Sequence, residues 1–223
     1  MSPICKHLNP AYLLIFILLV AIFSLSCSAP AYRVHPDFGL RAQAISQPVL
    51  MPPDVKIFES LPGGMVVLRD DWSTIGRENL QDAVVKGFAE KNCSVRLLDA
   101  DNGMNEELAE IQSLYKVVNK SIRLQAYGPP KKSSGPPKFE YSIGSLERVL
   151  PKLDADAVIF VSALEKISNS KSMAVINLAI ADSSGTIIWY SIEGSRDRYG
   201  LIKFSDAAQM VNNLMLSYPK VGG

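Results

Sequence analysis

The apolar residues of this chain recur with two periods, and each period predicts a different element. Apolar residues three and four positions apart predict helices with one buried face at 73–92 and 105–122, and a shorter helix at 142–153. Ser73 is predicted to cap the first, because a serine oxygen can accept the free N–H groups of a first turn. A last helix is predicted to begin at Ser205.

Shorter apolar runs predict strands between and after these helices. The run at 157–163 is almost wholly apolar, as expected for a central strand covered on both faces. Glycine-containing turns at 61–64 and 182–185 predict hairpins, because glycine adopts the positive φ angles of tight turns. The other predicted strands are at 48–51, 55–57, 65–68, 93–98, 173–181 and 186–192.

The order of these elements predicts one α/β domain over residues 48–218. Strands and helices alternate first, and a C-terminal hairpin and a helix follow. We therefore expect a mixed sheet with helices packed on it in two or three layers. No internal repeat and no second domain boundary are evident, and residues 219–223 are predicted to be a short tail.

A secretory signal peptide is predicted at residues 1–26. Lys6 and His7 precede an apolar run at 11–25, and small residues follow at once. The apolar run is shorter than the roughly twenty residues that span the hydrocarbon core of a bilayer. Residues 27–47 contain prolines and no clear period, and are predicted to be a tether between a membrane and the domain.

Cys27 lies among the small residues that follow the apolar run. This arrangement resembles a bacterial lipoprotein signal, in which cleavage falls before a cysteine that then carries the lipid, palmitate included. By the same resemblance, Ser28 after the cysteine favours the outer membrane over the inner membrane. Two alternatives stay open, a retained anchor and cleavage after Ala31, where Ala29 and Ala31 form an A-x-A pair.

Cysteine usage agrees with a lipidated mature chain. Cys5 would leave with the signal peptide and Cys27 would be acylated, so only Cys93 would remain and no internal disulfide could form. Cys93 alternates with Val95 and Leu97, which predicts a buried structural thiol on the inward face of a strand. A reactive thiol is the alternative interpretation.

The charge of the chain argues against nucleic-acid binding. The formal net charge is +1, and it falls to zero when Lys6 leaves with the signal peptide. A neutral domain does not neutralise many phosphates. Lys131, Lys132 and Lys138 lie in a proline-rich loop that is predicted to be solvated and partly extended.

The mature chain lacks the residues of the common catalytic and metal sites. His7 would leave with the signal peptide, which leaves His35, in the predicted tether, as the one histidine. A Ser-His-Asp or Cys-His site therefore lacks a base, and a histidine zinc site lacks ligands. No phosphate-binding loop or nucleophile elbow occurs in the sequence. We predict no enzyme activity, no metal and no cofactor.

Three acidic clusters are candidate ligand or catalytic sites. The first faintly resembles a calcium loop, but Met104 stands where the sharp turn of that loop needs glycine. We predict helix caps and turns for all three clusters. The first cluster is Asp99, Asp101, Asn105 and Glu110, and its alternative is a calcium site. The second is Asp70 and Asp71, with a catalytic carboxylate pair as the alternative, and the third is Asp154 and Asp156, with a ligand pocket at the end of the sheet as the alternative.

Two aromatic residues are candidate contacts for a partner protein. Trp72 follows two aspartates near a helix start, so partial exposure is expected. Trp189 and Tyr190 are neighbours in a strand and must point to opposite faces. Core packing accounts for Trp189, which leaves Tyr190 on the open face. Exposed aromatic residues are typical of protein contacts.

Three stretches of the sequence resemble segments of bacterial envelope lipoproteins. Residues 49–53 are similar to an opening strand with a proline stop, and 153–161 to an Asp-Ala segment that leads into an apolar strand. Residues 181–189 are similar to a hairpin whose turn ends in glycine and whose second strand carries tryptophan. With the element order over 48–218, they resemble the domain shared by the TolB N-terminal region, the curli-secretion lipoprotein CsgG and lipoproteins of the DUF799 type.

The resemblance implies a non-catalytic domain on the periplasmic face of the outer membrane. Such a domain would bind other envelope proteins, or a second copy of itself, within an assembly, secretion or transport-associated complex. The long pore-forming hairpins of CsgG have no counterpart in this sequence. Two other classes stay open: a periplasmic module that binds a small ligand or lipid, and an enzyme that relies on carboxylates or lysine.

Overall fold

A mixed β-sheet forms the centre of the computed structural model, which describes residues 32–98, 106–126, 138–169 and 171–219. Within these residues the sheet has eight strands. They are β1 (Tyr32–Val34), β2 (Pro48–Leu50), β3 (Asp54–Ser60), β4 (Val66–Leu68), β5 (Arg96–Leu97), β6 (Ala157–Ser168), β7 (Lys171–Asp182) and β8 (Ile187–Arg196). The described helices are α1 (Phe38–Gln43), α2 (Asp70–Ala89), α3 (Glu106–Ala126) and α4 (Phe204–Leu216).

The strands follow the order β1-β8-β7-β6-β2-β5 across the sheet. Both β2 and β3 pair with β6 in parallel, one after the other, with Leu50 opposite Ile159 and Asp54 opposite Ser162. Pro52 separates them, because proline has no N–H to donate to a ladder. The hairpin strand β4 runs antiparallel to β3.

The antiparallel strands β6, β7 and β8 form the longest part of the sheet. The turn between β7 and β8 requires glycine, since Gly185 has a φ of +76° and donates its N–H to the Asp182 carbonyl at 2.8 Å. A Cβ atom on Gly185 would lie 1.7 Å from the carbonyl oxygen of Gly144. The predicted hairpin at 182–185 is confirmed, and it packs against a neighbouring backbone segment.

Helices cover both faces of the sheet, which makes the domain three layers thick. Alternate residues of β6 and β8 divide between two cores: Ile159 and Trp189 face α1, α2 and α4, while Phe160 and Tyr190 face α3. Tyr115 of α3 stacks on Phe160, with ring centroids 4.2 Å apart. The predicted α/β fold, with a mixed sheet and a C-terminal hairpin followed by a helix, is confirmed.

The predicted helix at 142–153 is wrong over most of its length. Only Leu150–Leu153 is helical, as a short 3₁₀ turn. The residues before it are held by the β7–β8 hairpin, since Ile143 N–H donates to the Gly185 carbonyl at 2.9 Å and Ser142 bridges to Thr186. The apolar residues that suggested a helix, Ile143, Leu146 and Leu150, are buried beside α3 instead.

The predicted tether at 27–47 differs from the structure in its described part, from residue 32 onward. The strand β1 pairs antiparallel with β8, with Tyr32 opposite Ser191. Phe38 and Ala42 of α1 are buried in the core. His35 is also buried, and its Nδ1 accepts the N–H of Asp37 at 3.1 Å. These elements are too short to show a period, and their partners lie far along the chain.

Candidate functional site

The sequence-predicted site residues that the structure describes do not form one site. In the described part of the chain, no three histidine, cysteine, aspartate or glutamate side chains form a group that could hold a metal ion. None of the described helices is long and apolar enough to cross a bilayer. Asp99, Asp101 and Asn105, like the lipidation candidate Cys27, lie outside the described residues, and Glu110 is exposed on α3.

The carboxylates at 70–71 belong to the first turn of α2. Asp71 accepts two hydrogen bonds from the Arg69 guanidinium, at 3.1 and 2.8 Å, and these bonds lower the pKa of its carboxyl group. Arg69 also pairs with Glu59 at 2.6 Å. The helix begins at Asp70, so Ser73 does not cap it. The Ser73 hydroxyl instead accepts the Ile57 N–H and joins α2 to β3.

Trp72 is half-buried at the start of α2 and packs against the core on that side. The guanidinium of Arg69 lies over its ring, with the Cζ atom 3.9 Å from the ring centroid. Part of the indole is therefore covered by a residue of the same chain. A partner contact at Trp72 stays a prediction.

Tyr190 is fully buried, contrary to the prediction of an exposed partner contact. Its ring lies in the core beneath α3, and its hydroxyl donates to the Asn119 side chain at 2.7 Å. The prediction assumed that one face of the sheet is open at this position. Because helices cover both faces there, the two neighbours Trp189 and Tyr190 are both core residues.

Asp154 and Asp156 hold the backbone at the start of β6. The Asp156 carboxylate accepts hydrogen bonds from Ser46 N–H at 2.6 Å and Gln47 N–H at 2.9 Å, and another from the Ser46 hydroxyl. Asp154 ends the 3₁₀ turn in a left-handed conformation, with a φ of +49°. These hydrogen bonds assign the Asp156 carboxylate to loop geometry, and the alternative of a ligand pocket at this sheet end stays a prediction.

Cys93 is half-buried and lies before β5. The predicted strand at 93–98 is shorter in the structure, where β5 contains only Arg96–Leu97. Burial, and secondarily the Asp156 carboxylate, raises the pKa of its thiol. The folded protein therefore holds less thiolate than a free cysteine at the same pH.

We expect Cys93 to react with iodoacetamide several-fold more slowly in the folded chain than in urea at pH 8. The rate in the folded chain should continue to rise above pH 9, because the thiolate forms only as the pH approaches the raised pKa. Mass spectrometry of quenched samples gives both rates. Equal rates in the folded and unfolded chain would indicate a reactive thiol.

A cleft of about 600 Å³ lies between α3 and the exposed sheet surface beyond it. We call it the α3 cleft. Residues of β3, β6, β7 and β8 form its floor, and one stripe of α3 forms its wall. Its lining includes Asp54, Lys56, Lys116, Asn119, Lys120, Arg123, Leu124, Ser162, Leu164, Val175, Asn177 and Ile192.

The wall of the α3 cleft is cationic. Lys116, Lys120 and Arg123 are four and three residues apart, which places them on one side of α3. Lys116 pairs with Asp54 at 3.3 Å. Among the described residues, no carboxylate lies within ion-pair distance of Lys56, Lys120 or Arg123. The cleft therefore holds an excess of positive charge.

A hydrogen-bonded polar network closes the inner end of the cleft. Asn177 is 2% exposed, and its side-chain oxygen accepts the Tyr115 hydroxyl at 3.2 Å. Asn119 accepts the Tyr190 hydroxyl and lies 3.4 Å from the Ser162 hydroxyl, which its amide reaches. Buried polar groups that are satisfied in this way hold fixed positions. The inner end of the cleft is therefore a preformed surface.

The outer floor of the cleft is apolar and open. Leu164 of β6 lies opposite Val175 of β7 in the sheet register and is 44% exposed. On the other side, Lys56 of β3 lies opposite the same leucine. The cleft thus combines a cationic wall with an exposed apolar floor.

The α3 cleft was not predicted from the sequence. The predicted central strand ends at residue 163, whereas β6 continues to Ser168. In that extension Leu164 and Ile167 are three residues apart and lie on opposite faces of the strand, so the segment shows no period-two pattern that would have predicted it. The spacing of Lys116, Lys120 and Arg123 on α3 was the available signal.

Comparisons with solved structures return matches of low similarity. The chain is similar to the lipoprotein GNA1162 from Neisseria meningitidis, with 12% identity and a TM-score of 0.32 over 68% of this chain and 80% of that one. It is also similar to the LpoB C-terminal domain from Salmonella enterica, with 15% identity and a TM-score of 0.29 over 72% of this chain and 93% of that one.

The chain matches no protein-family model, and the search of curated proteins finds no match either. The resemblance to the TolB and CsgG families therefore stays a prediction. Similarity at these TM-scores assigns no function, so the functional argument rests on the residues of the chain itself.

Proposed function

We propose that this chain is a non-catalytic lipoprotein of the bacterial envelope, anchored to the outer membrane through Cys27, whose domain binds a partner protein in the α3 cleft. The leader pattern at residues 1–26 supports the export and the anchor. The observation that carries the binding role is the cationic, partly apolar cleft.

The lining of the α3 cleft favours an acidic, amphipathic segment of a partner protein. Carboxylates of such a segment would pair with Lys56, Lys120 and Arg123, and its apolar residues would cover Leu164 and Val175. Charge complementarity of this kind directs encounter and selects partners. The rigid polar network at the inner end would then receive main-chain groups without reorganisation.

A module that binds a small ligand is the second candidate. A volume of about 600 Å³ lies within the range of small-molecule sites. Such sites usually enclose most of their ligand, whereas the α3 cleft is open along the sheet and most of its lining residues are polar or charged. We therefore place the protein partner first.

A photo-crosslinking residue at Leu164 should form an adduct of protein size when the chain is expressed in its envelope. Changing Lys120 and Arg123 together to glutamate should reduce that adduct at least about tenfold, because the wall then repels an acidic segment. Gel shift and mass spectrometry measure the adduct. The matched control is Lys86→Glu, an exposed lysine of α2 on the other side of the sheet.

The size of the adduct separates the two candidate functions. A mass increase of a few hundred daltons at Leu164 would favour the small ligand. Absence of any adduct at Leu164, together with labelling at the exposed Leu40 of α1, would contradict binding in the cleft.

A further inference from the structure

One end of the sheet is rich in exposed cations. This end, where β6 and β8 finish and β7 begins, is called the tip surface. Lys166, Lys171, Arg196 and Arg198 are exposed there. The exposed residues Met65 and Val66 of the β3–β4 hairpin lie at the same end, because Ser60 of β3 is opposite Ser168 of β6.

Two of these cations and a methionine form a continuous row on one face of the sheet. Lys166 of β6 lies opposite Met173 of β7, and Met173 lies opposite Arg196 of β8. Lys171 adjoins them, and together they border a shallow groove of about 320 Å³. Met173 is 45% exposed between the cations. Cations beside an exposed apolar side chain are complementary to a phospholipid surface, in which anionic headgroups lie above apolar acyl chains.

Two carboxylates near the tip surface accept hydrogen bonds from other groups. Asp197 accepts the backbone N–H of Ser172 at 3.0 Å. Glu165 is buried, and it accepts the Ser172 hydroxyl at 2.5 Å and the Leu201 N–H at 2.8 Å. Neither forms an ion pair with a lysine or arginine of the tip surface. The cations there are available to an external anion.

The first residue of β1 lies toward this tip. Because β1 runs antiparallel to β8 with Tyr32 opposite Ser191, Tyr32 is the end of β1 that is nearer to the end of β8. The strand β8 continues five residues past Ser191, to Arg196, and five residues span about 17 Å in a strand. Cys27 is five residues before Tyr32, so its reach from Tyr32 is also about 17 Å.

We propose that the tip surface lies on the membrane and binds the headgroups of anionic phospholipids. With a lipid on Cys27, a reach of about 17 Å from Tyr32 equals the overhang of β8, which allows the tip to lie at the headgroup layer. Lys166, Lys171 and Arg196 supply the positive charge, because each basic residue near an anionic membrane surface adds to the attraction. The geometry rests on the anchor in the proposed function; the charge argument does not.

Lysine footprinting of the full-length, natively processed protein tests this proposal. The protein is reconstituted in vesicles of phosphatidylcholine alone, or of phosphatidylcholine and phosphatidylglycerol in equal parts, and acetylated briefly. We expect acetylation of Lys166 and Lys171 to fall about fivefold in the anionic vesicles, and high salt to restore it. Lys86 on α2 should react equally in both vesicle types.

A charge variant supplies the matched comparison. Arg196→Glu should remove most of the protection of Lys166 and Lys171 in the anionic vesicles, whereas Lys91→Glu, an exposed change away from the tip surface, should leave it intact. Equal acetylation of Lys166 and Lys171 in both vesicle types would overturn the proposal. So would protection that Arg196→Glu does not change.

The intact mass of the same sample reports the anchor separately. If the protein carries no lipid, the vesicles are added to it in solution and the footprint is read in the same way. Protection by the anionic vesicles would then support the tip surface while the anchor fails. A lipidated protein without protection would support the anchor and overturn membrane binding by the tip surface.

Discussion

Replacing Cys27 with alanine is expected to abolish lipid attachment and release the chain from the outer membrane fraction. Acyl chains hold a protein in a bilayer by about 0.8 kcal/mol for each buried methylene, and two or three chains give stable anchoring. Intact mass of the natively expressed protein should exceed the polypeptide mass by a diacyl or triacyl group. The Cys27→Ala variant should lack that increment and lose its membrane attachment.

The matched control for this experiment is Cys93→Ala, which removes the other cysteine of the mature chain and should keep both the mass increment and the membrane attachment. An unmodified wild-type mass with an N-terminus at Tyr32 would contradict lipidation and indicate cleavage after Ala31. Retention of residues 1–26 would indicate an uncleaved anchor. Either result would remove the lipid from the proposed function, and the first would move the small-ligand candidate ahead.

Trp189→Ala is expected to destabilise the domain by about 3–5 kcal/mol, the usual cost of truncating a large buried aromatic residue. Trp189 is fully buried where β8 meets α4, and its ring packs edge-on against Tyr218 with centroids 5.2 Å apart. Truncation leaves a cavity that the surrounding strands cannot close. Urea unfolding, monitored by far-ultraviolet circular dichroism, measures the change in the free energy of unfolding.

The other tryptophan provides the control. Trp72→Ala should cost much less than Trp189→Ala, because Trp72 is only half-buried. Similar costs for both variants would contradict the burial of Trp189 in the core. An adduct of protein size at a photo-crosslinking residue placed at position 72 would support the predicted partner contact at Trp72.

The α3 cleft could not be predicted from local sequence patterns. Leu164, Lys166 and Met173 alternate with inward residues, but a half-exposed strand shows a weaker pattern than the apolar run at 157–163. Lys120 and Arg123 were visible as charges on an amphipathic helix, where charges usually face solvent. Their convergence on Lys56 depends on the pairing of β3 with β6, which joins residues about a hundred positions apart.

Errors at Tyr190 and at residues 32–47 have a common cause. A strand pattern shows that two neighbours point to opposite faces, but it does not show whether a helix covers each face. Tyr190 is buried only because α3 packs over it. The segments β1 and α1 are stable only because β8 pairs with the first and the core receives Phe38 of the second.

The sequence by itself determined the order of the main elements, the α/β class and the turn at 182–185, because these follow from local periodicity and from glycine geometry. It also determined the leader pattern. Only the tertiary structure decided that both sheet faces are covered, that the cations of α3 and β3 share one cleft, and that Lys166 and Arg196 share one tip. These juxtapositions come from helix packing and from strand pairing across the sheet, which local patterns do not encode.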